Sequence, residues 1–119
     1  MSDNDFNTIC YFEIGSTNLE ESKAFYTKCF EWQFNDQGPE YSMFGAGELG
    51  GGISTQIKPT SDGTKLVIKV NDITKKTEEI IDAGGESVGE IIDIGNEMGF
   101  YQYFKDNCGN QLALWSQTN

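Results

Sequence analysis

The chain has 119 residues, with 19 acidic against 8 basic side chains, no histidine and a formal net charge of −11 at neutral pH. That length suits one domain with its own core, and eight Phe, five Tyr and two Trp residues exclude a disordered chain. The charge repels phosphate and anionic lipid, so nucleic acid and acidic membrane are not expected partners. The missing imidazole removes Ser-His and Cys-His nucleophile pairs and the commonest metal ligand.

In chain order, the start "MSDNDFNTIC" carries no basic segment leading into an apolar one, and no apolar window is long enough to span a bilayer. A cytoplasmic protein without membrane attachment is expected. A strand is predicted over residues 8–14, and "STNLEES" then supplies an N-cap with acidic residues behind it. The following helix places Phe25, Tyr26, Cys29 and Phe30 on one apolar stripe. Strand-like pieces follow at 32–35, 41–45 and 52–57, punctuated by "QGP" and "GAGELGGG". The latter lacks the Gly-Lys-Ser/Thr ending of a phosphate loop and reads as a hairpin.

Residues 58–64, within "KPTSDGTK", form a linker, and the pattern then repeats. "LVIKV" alternates as a strand, and Asn71 or Asp72 caps a helix whose face carries Ile73, Thr77, Ile80 and Ile81 and which stops at Gly84 and Gly85. Strands at 87–93, 100–105 and 111–116 complete the unit, with "CGN" (Cys108 to Asn110) as a turn before the last. The helix starts, Leu19 and Ile73, lie about 54 residues apart, a period that marks a duplicated β-α-β-β-β unit. The chain thus reads as one α+β domain: unit one over about 7–57, unit two over about 65–117. Cys10, Cys29 and Cys108 are too widely spaced for a disulfide framework or zinc site and are read as reduced structural thiols.

One helix covers one face of each sheet, and the uncovered faces can enclose a cleft. Alternation leaves Tyr11 and Glu13 on the cleft side of the first strand, and Ser54 and Gln56 on the fourth. It leaves Lys65, Val67 and Lys69 there on the fifth, and Gln111, Ala113 and Trp115 on the last.

The stretches "FEIGSTNLEESKAFYTKCFEWQF", "GGGI", "VIKVNDI" and "YFKDNCGNQLALW" resemble, in order and over nearly the whole chain, the vicinal oxygen chelate superfamily, also called the glyoxalase/bleomycin resistance/dioxygenase fold. The resemblance implies two βαβββ units forming a paired half-barrel with a central cleft. It also implies a homodimer whose neighbouring chains complete the cleft walls, with the units paired within one chain or swapped between two. Metal enzymes of the superfamily carry His, Glu and sometimes Gln ligands. The matching positions here fall at Tyr11, near Gln56, at Lys65 or Leu66, and at Ala113, so no divalent metal or other cofactor is expected.

The leading expectation is therefore a metal-independent small-molecule binding protein that sequesters a toxic or antibiotic-like compound, as bleomycin resistance members do. Its site would comprise Tyr11, Glu13, Ser54, Gln56, Lys65, Gln111 and Trp115, with Trp32 as a further stacking surface. Two enzyme readings stand beside it: a glyoxalase-like lyase or isomerase with Glu13 as base and Tyr11 at the oxyanion, or a metal-dependent glyoxalase or dioxygenase. A protein-interaction module with a filled cleft is the third class. In the plainer readings, Tyr11 and Trp115 fill the core, and Glu13 pairs with Lys65 or Lys69.

Overall fold

The computed structural model describes residues 6–118. Residues 1–5, part of the stretch read as lacking a leader, and residue 119 lie outside the described residues. The first unit contains β1 (Tyr11–Gly15), α1 (Leu19–Phe30), β2 (Phe34–Asp36), β3 (Tyr41–Ala46) and β4 (Leu49–Ser54). The second contains β5 (Val67–Lys69), α2 (Ile73–Asp82), β6 (Glu86–Asp93), β7 (Phe100–Lys105) and β8 (Gln111–Ser116).

Both helices start where an Asx side chain takes over an orphan backbone donor. The Asn18 side chain accepts from the Glu21 N–H and Asp72 from the Lys75 N–H, each at 3.0 Å. Glu20 and Glu21 in the first turn of α1 and Lys28 in its last complement the helix dipole. The strand orders, β1-β4-β3-β2 and β5-β8-β7-β6, repeat the same topology, with the first strand of each unit parallel to the last. The duplication read from spacing is thus present in three dimensions.

Both sheets turn their helix-covered faces into one core. Ile14, Phe44 and Ile53 from the first sheet and Phe104, Leu112 and Leu114 from the second belong to a single buried cluster, with Phe25, Tyr26 and Cys29 of α1 and Ile73 and Ile80 of α2. Trp32 is 9% exposed and stacks parallel to Tyr26 and Phe44, with ring centroids 5.0 and 4.4 Å away. Its ring is thus packed as part of the core between Tyr26 and Phe44. Ile81 is likewise displaced from its expected face and is 52% exposed, while Ile80 is fully buried.

The units are tied together by the turn "DNCGN". The buried Asp106 carboxylate accepts from the Cys108 and Asn110 N–H groups at 2.9 and 3.0 Å, from Asn110 Nδ2 at 2.9 Å and from the Tyr26 hydroxyl at 2.7 Å. Asn110 Nδ2 also donates to the Gly15 carbonyl at 2.7 Å, and its Oδ1 accepts from the Thr60 N–H at 2.9 Å. One five-residue turn therefore satisfies polar groups from β1, α1 and the linker, of which the Gly15 carbonyl and the Tyr26 hydroxyl belong to buried residues. The three cysteines are free thiols, Cys10 exposed, Cys29 buried and Cys108 between these extremes.

Two strands differ from the sequence reading by three residues, and β2 begins at Phe34 rather than at residue 32. β1 begins at Tyr11 rather than residue 8, and β4 runs from Leu49 to Ser54 rather than over 52–57. The cause of the second shift is the turn before it. Ala46 pairs with Leu49, so Gly47 and Glu48 alone connect β3 to β4, and Gly47 has a φ of 75°. A two-residue turn with positive φ at its first central residue matches type II′, which suits the twist of a hairpin.

Candidate functional site

On the first sheet, the register fixes which side chains meet. Tyr11 lies opposite Gly50, Glu13 and Met43 both oppose Gly52, and Tyr41 opposes Ser54. Because side chains alternate along a strand, Tyr11, Glu13, Tyr41 and Met43 share the face turned away from α1. There the Tyr41 hydroxyl donates to Glu13 Oε2 at 2.8 Å and lies 2.6 Å from the Tyr11 hydroxyl. Since Tyr41 has one proton and gives it to the carboxylate, Tyr11 is the donor in the second bond. The chain of donation runs Tyr11 to Tyr41 to Glu13.

Gly52 makes room for this arrangement. A Cβ at that position would lie 2.2 Å from the Tyr41 hydroxyl oxygen and 2.8 Å from that of Tyr11, inside any permitted contact. Partial burial, helped by the bonds to Tyr11 and Glu13, pushes the Tyr41 phenol well above its ordinary value. Tyr41 therefore keeps its proton through the physiological range and acts as a fixed donor.

Glu13 is exposed and forms no ion pair within 4.0 Å among the described residues. The expected lysine partners are engaged elsewhere. Lys65 Nζ donates to the Ser61 and Gly63 carbonyls at 2.8 and 3.3 Å, closing its own loop, and Lys69 Nζ sits 5.8 Å from the Trp115 ring centroid. Ser54 is buried at the strand end, where its Oγ accepts the Gln56 N–H at 3.0 Å. Gln56 itself lies past β4 in an exposed turn, so it does not project from the strand as alternation implied.

The remaining sequence-derived residues meet on the second sheet. Ala113 pairs with Val67 and Tyr103, and Trp115 with Lys69 and Tyr101. Gln111, Ala113 and Trp115 thus share the face turned away from α2. Trp115 Nε1 donates to the Met98 carbonyl at 2.9 Å, and Tyr101 and Tyr103 pack edge to face at 5.6 Å. The exposure of Glu13, Met43 and Val67 shows that the open faces do not close on each other as a barrel within one chain. Tyr11 and Glu13 are brought together, Gln111 and Trp115 are brought together, and the two pairs stand on different sheets.

Sequence reasoning missed Tyr41 and Gly52. The signal was present in the two-residue turn: centring the hairpin on Gly47 and Glu48 puts Tyr41 opposite Ser54 and Met43 opposite Gly52. Residues 8–114 match the family described as the Glyoxalase/Bleomycin resistance protein/Dioxygenase superfamily. The chain belongs to this superfamily. It is 26% identical over 114 residues to a glyoxylase-like domain-containing protein of Didymella fabae, covering 86% of this chain and 88% of that one. It spans only 44% of the Mycobacterium bovis protein CFP32, to which it is 25% identical over 118 residues, or 88% of this chain. Among solved structures, the fosfomycin resistance protein FosX of Listeria monocytogenes, complexed with Mn(II) and sulfate, superposes with a TM-score of 0.77 at 16% identity, covering 93% of this chain and 90% of that one. At that identity the likeness establishes the superfamily fold.

The four positions that sequence resemblance matched to superfamily metal ligands are dispersed in character. The Tyr11 oxygen is bonded to Tyr41, Gln56 is in an exposed turn, Lys65 is a cation held on loop carbonyls, and neither its alternative Leu66 nor Ala113 has a side-chain donor atom. Among the described residues, no three His, Cys, Asp or Glu side chains converge as a metal cluster. No helix among them is long and apolar enough to cross a membrane.

Proposed function

We propose that this superfamily member is a metal-independent small-molecule binding protein whose primary site is the open face of the first sheet. The observation that carries this reading is the donation chain from Tyr11 through Tyr41 to an exposed Glu13 that has no cationic partner within 4.0 Å among the described residues. A carboxylate whose Oε1 has no hydrogen-bond partner among the described residues, beside two tyrosine rings, suits a ligand with a cationic or hydrogen-bond-donating group on a flat apolar body. The donor set at Tyr11, Gln56, Lys65 and Ala113 does not fit a divalent ion, which needs several N, O or S ligands together. Sequestration of a toxic or antibiotic-like compound in the cytoplasm is the role this reading assigns.

In the full site, a second copy brings its Gln111 and Trp115 face toward Glu13, making a homodimer with two composite clefts. The exposed apolar residues on both open faces support this part, since Met43, Val67 and Ile92 are 40%, 60% and 43% exposed. The lyase or isomerase reading is weaker on the same geometry, because both phenol protons are already committed and none is free for an oxyanion.

The test is a thermal melt with and without chelator and with added nickel, zinc, manganese or iron, followed by a screen of cationic aromatic compounds. Indifference to metal and stabilisation by such compounds, lost in Tyr41→Phe, is expected. A melt lowered by chelator and restored by one metal would overturn the reading.

A further inference from the structure

A cavity of about 430 Å³ lies between α1, the end of α2 and the turn that follows β7. Its walls include Glu21, Ala24, Phe25, Lys28, Asp82 and Asn107. The volume falls within the roughly 300–1,000 Å³ typical of small-molecule sites. The helix end and the turn approach closely here, since a Cβ built on Gly84 would lie 3.9 Å from the Asn107 Cβ.

The main-chain acceptors at this end of α2 are already taken. The Glu79, Ile80 and Ile81 carbonyls accept from the Ala83, Gly84 and Gly85 N–H groups, and the Asp82 carbonyl accepts from Lys28 Nζ at 3.3 Å. Three side-chain acceptors remain. Asn107 Oδ1 is buried with no hydrogen-bond partner among the described residues, and the Glu21 and Asp82 carboxylates have no cation within 4.0 Å among them. An unpaired buried acceptor is unfavourable, and the soft χ2 of asparagine lets the amide turn its oxygen into the cavity when a donor arrives. The single lysine of the wall is engaged by a carbonyl, so two unpaired carboxylates set the sign of the site, beside the apolar Ala24 and Phe25. We infer that this cavity binds a small organic cation bearing N–H donors, a primary ammonium on a short apolar chain. Asn107 Oδ1 is the acceptor that selects N–H over a quaternary group. The site shares no residue with the Tyr11–Tyr41–Glu13 face and stands whether or not that face binds a ligand.

The experiment uses the full chain, with Glu13→Gln beside it, and three probes of equal chain length: butylammonium, butyltrimethylammonium and butanol. Binding is read by the melt and by the side-chain amide resonances of Asn107 in a two-dimensional ¹⁵N–¹H spectrum. Saturable shifts of those resonances by butylammonium are expected, weaker by the quaternary cation and weakest by the alcohol, in both proteins. Asn107→Ala deletes an acceptor that has no partner, so it should fold as the parent does. It should lower butylammonium affinity about fivefold and bring it level with that of butyltrimethylammonium. Asp82→Asn, at an exposed position, should weaken both cations by a similar factor and leave butanol unmoved. Equal affinity for the two cations in the parent would overturn the inference, because attraction to a chain of net charge −11 would then explain the binding. Butylammonium affinity unmoved by Asn107→Ala would also overturn it. So would binding lost in Glu13→Gln, which would place the cation on the first sheet instead.

Discussion

Tyr26 and Asp106, 80 residues apart in sequence, are joined by a 2.7 Å hydrogen bond that runs from α1 of the first unit to the β7–β8 turn of the second. Both groups are buried, and the bond is one of four that the Asp106 carboxylate accepts. Tyr26→Phe leaves the other three in place and keeps the ring stack with Trp32. A loss of about 1–2 kcal/mol in urea unfolding is therefore expected. A change within measurement error would show that the bond contributes nothing net to holding the units together.

The same tyrosine sets an alkaline limit. Burial first, and then the Asp106 carboxylate, raise the Tyr26 phenol well above its ordinary 10.0. A folded value above the unfolded one contributes stability that is whole below the unfolded value, about pH 10, and is lost as pH rises above it. Stability measured from pH 8 to 11 should thus fall above about pH 10, and the fall should be shallower in Tyr26→Phe. An identical slope in both proteins would assign the alkaline loss to other groups, Tyr41 first among them.

Gly52 and Tyr41 should be coupled. A Cβ at position 52 would collide with both hydroxyls of the tyrosine pair, so Gly52→Ala should cost about 1–3 kcal/mol, the usual range for overpacking. Tyr41→Ala removes the nearer obstacle. In a double-mutant cycle the second substitution should recover at least about 0.5 kcal/mol of the first. Strict additivity would mean that the tyrosines move aside without cost.

Tyr41→Phe deletes the donor to Glu13 and the acceptor for Tyr11 while keeping the ring. Because Glu13 stays exposed to water, the stability change should be below about 1 kcal/mol, whereas compounds that engage the carboxylate should lose about tenfold in affinity. Isothermal titration beside urea unfolding separates the two effects. Unchanged affinity would make the tyrosine pair a packing feature of the sheet.

The cysteines should separate by pH. Burial opposes ionisation of Cys108, yet the Ser22, Thr17 and Ser16 groups around its sulfur outweigh burial and bring the thiol below its ordinary 9.0. Ser22 and Thr17 oxygens lie 3.4 Å from Sγ, and the Thr17 N–H 3.5 Å. Cys29 is pushed up to about 11, chiefly by burial. Iodoacetamide labelling followed by mass spectrometry should give a Cys108 midpoint below pH 9.0 and leave Cys29 unmodified until the chain unfolds. Labelling of Cys29 before Cys108 would contradict the arrangement of hydroxyls around the latter.

Element order, both helix starts and the strands Phe100–Lys105 and Gln111–Ser116 were legible from local pattern, because periodicity, Asx caps and turn residues act over a few positions. The cleft-side assignment of Tyr11 and Glu13 was legible for the same reason: alternation fixes a face once a strand is recognised. Gln56 was misplaced because register depends on where a hairpin turns, and a shift of the turn by two or three residues ends β4 before Gln56 is reached. Glu13 was open to pairing with Lys65 or Lys69 in sequence, and the choice lay with a loop whose carbonyls hold Lys65 instead.

The sequence by itself determined a duplicated βαβββ domain, its superfamily resemblance and the poverty of metal donors at four positions. These follow from residue identity and short-range spacing. Tertiary structure decided that Tyr41 bridges Tyr11 and Glu13, that Trp32 belongs to the core, and that Asp106 and Asn110 bind the units together. Each of these contacts joins residues brought together by sheet register or by docking of the units, and neither is encoded in the neighbourhood of any one residue.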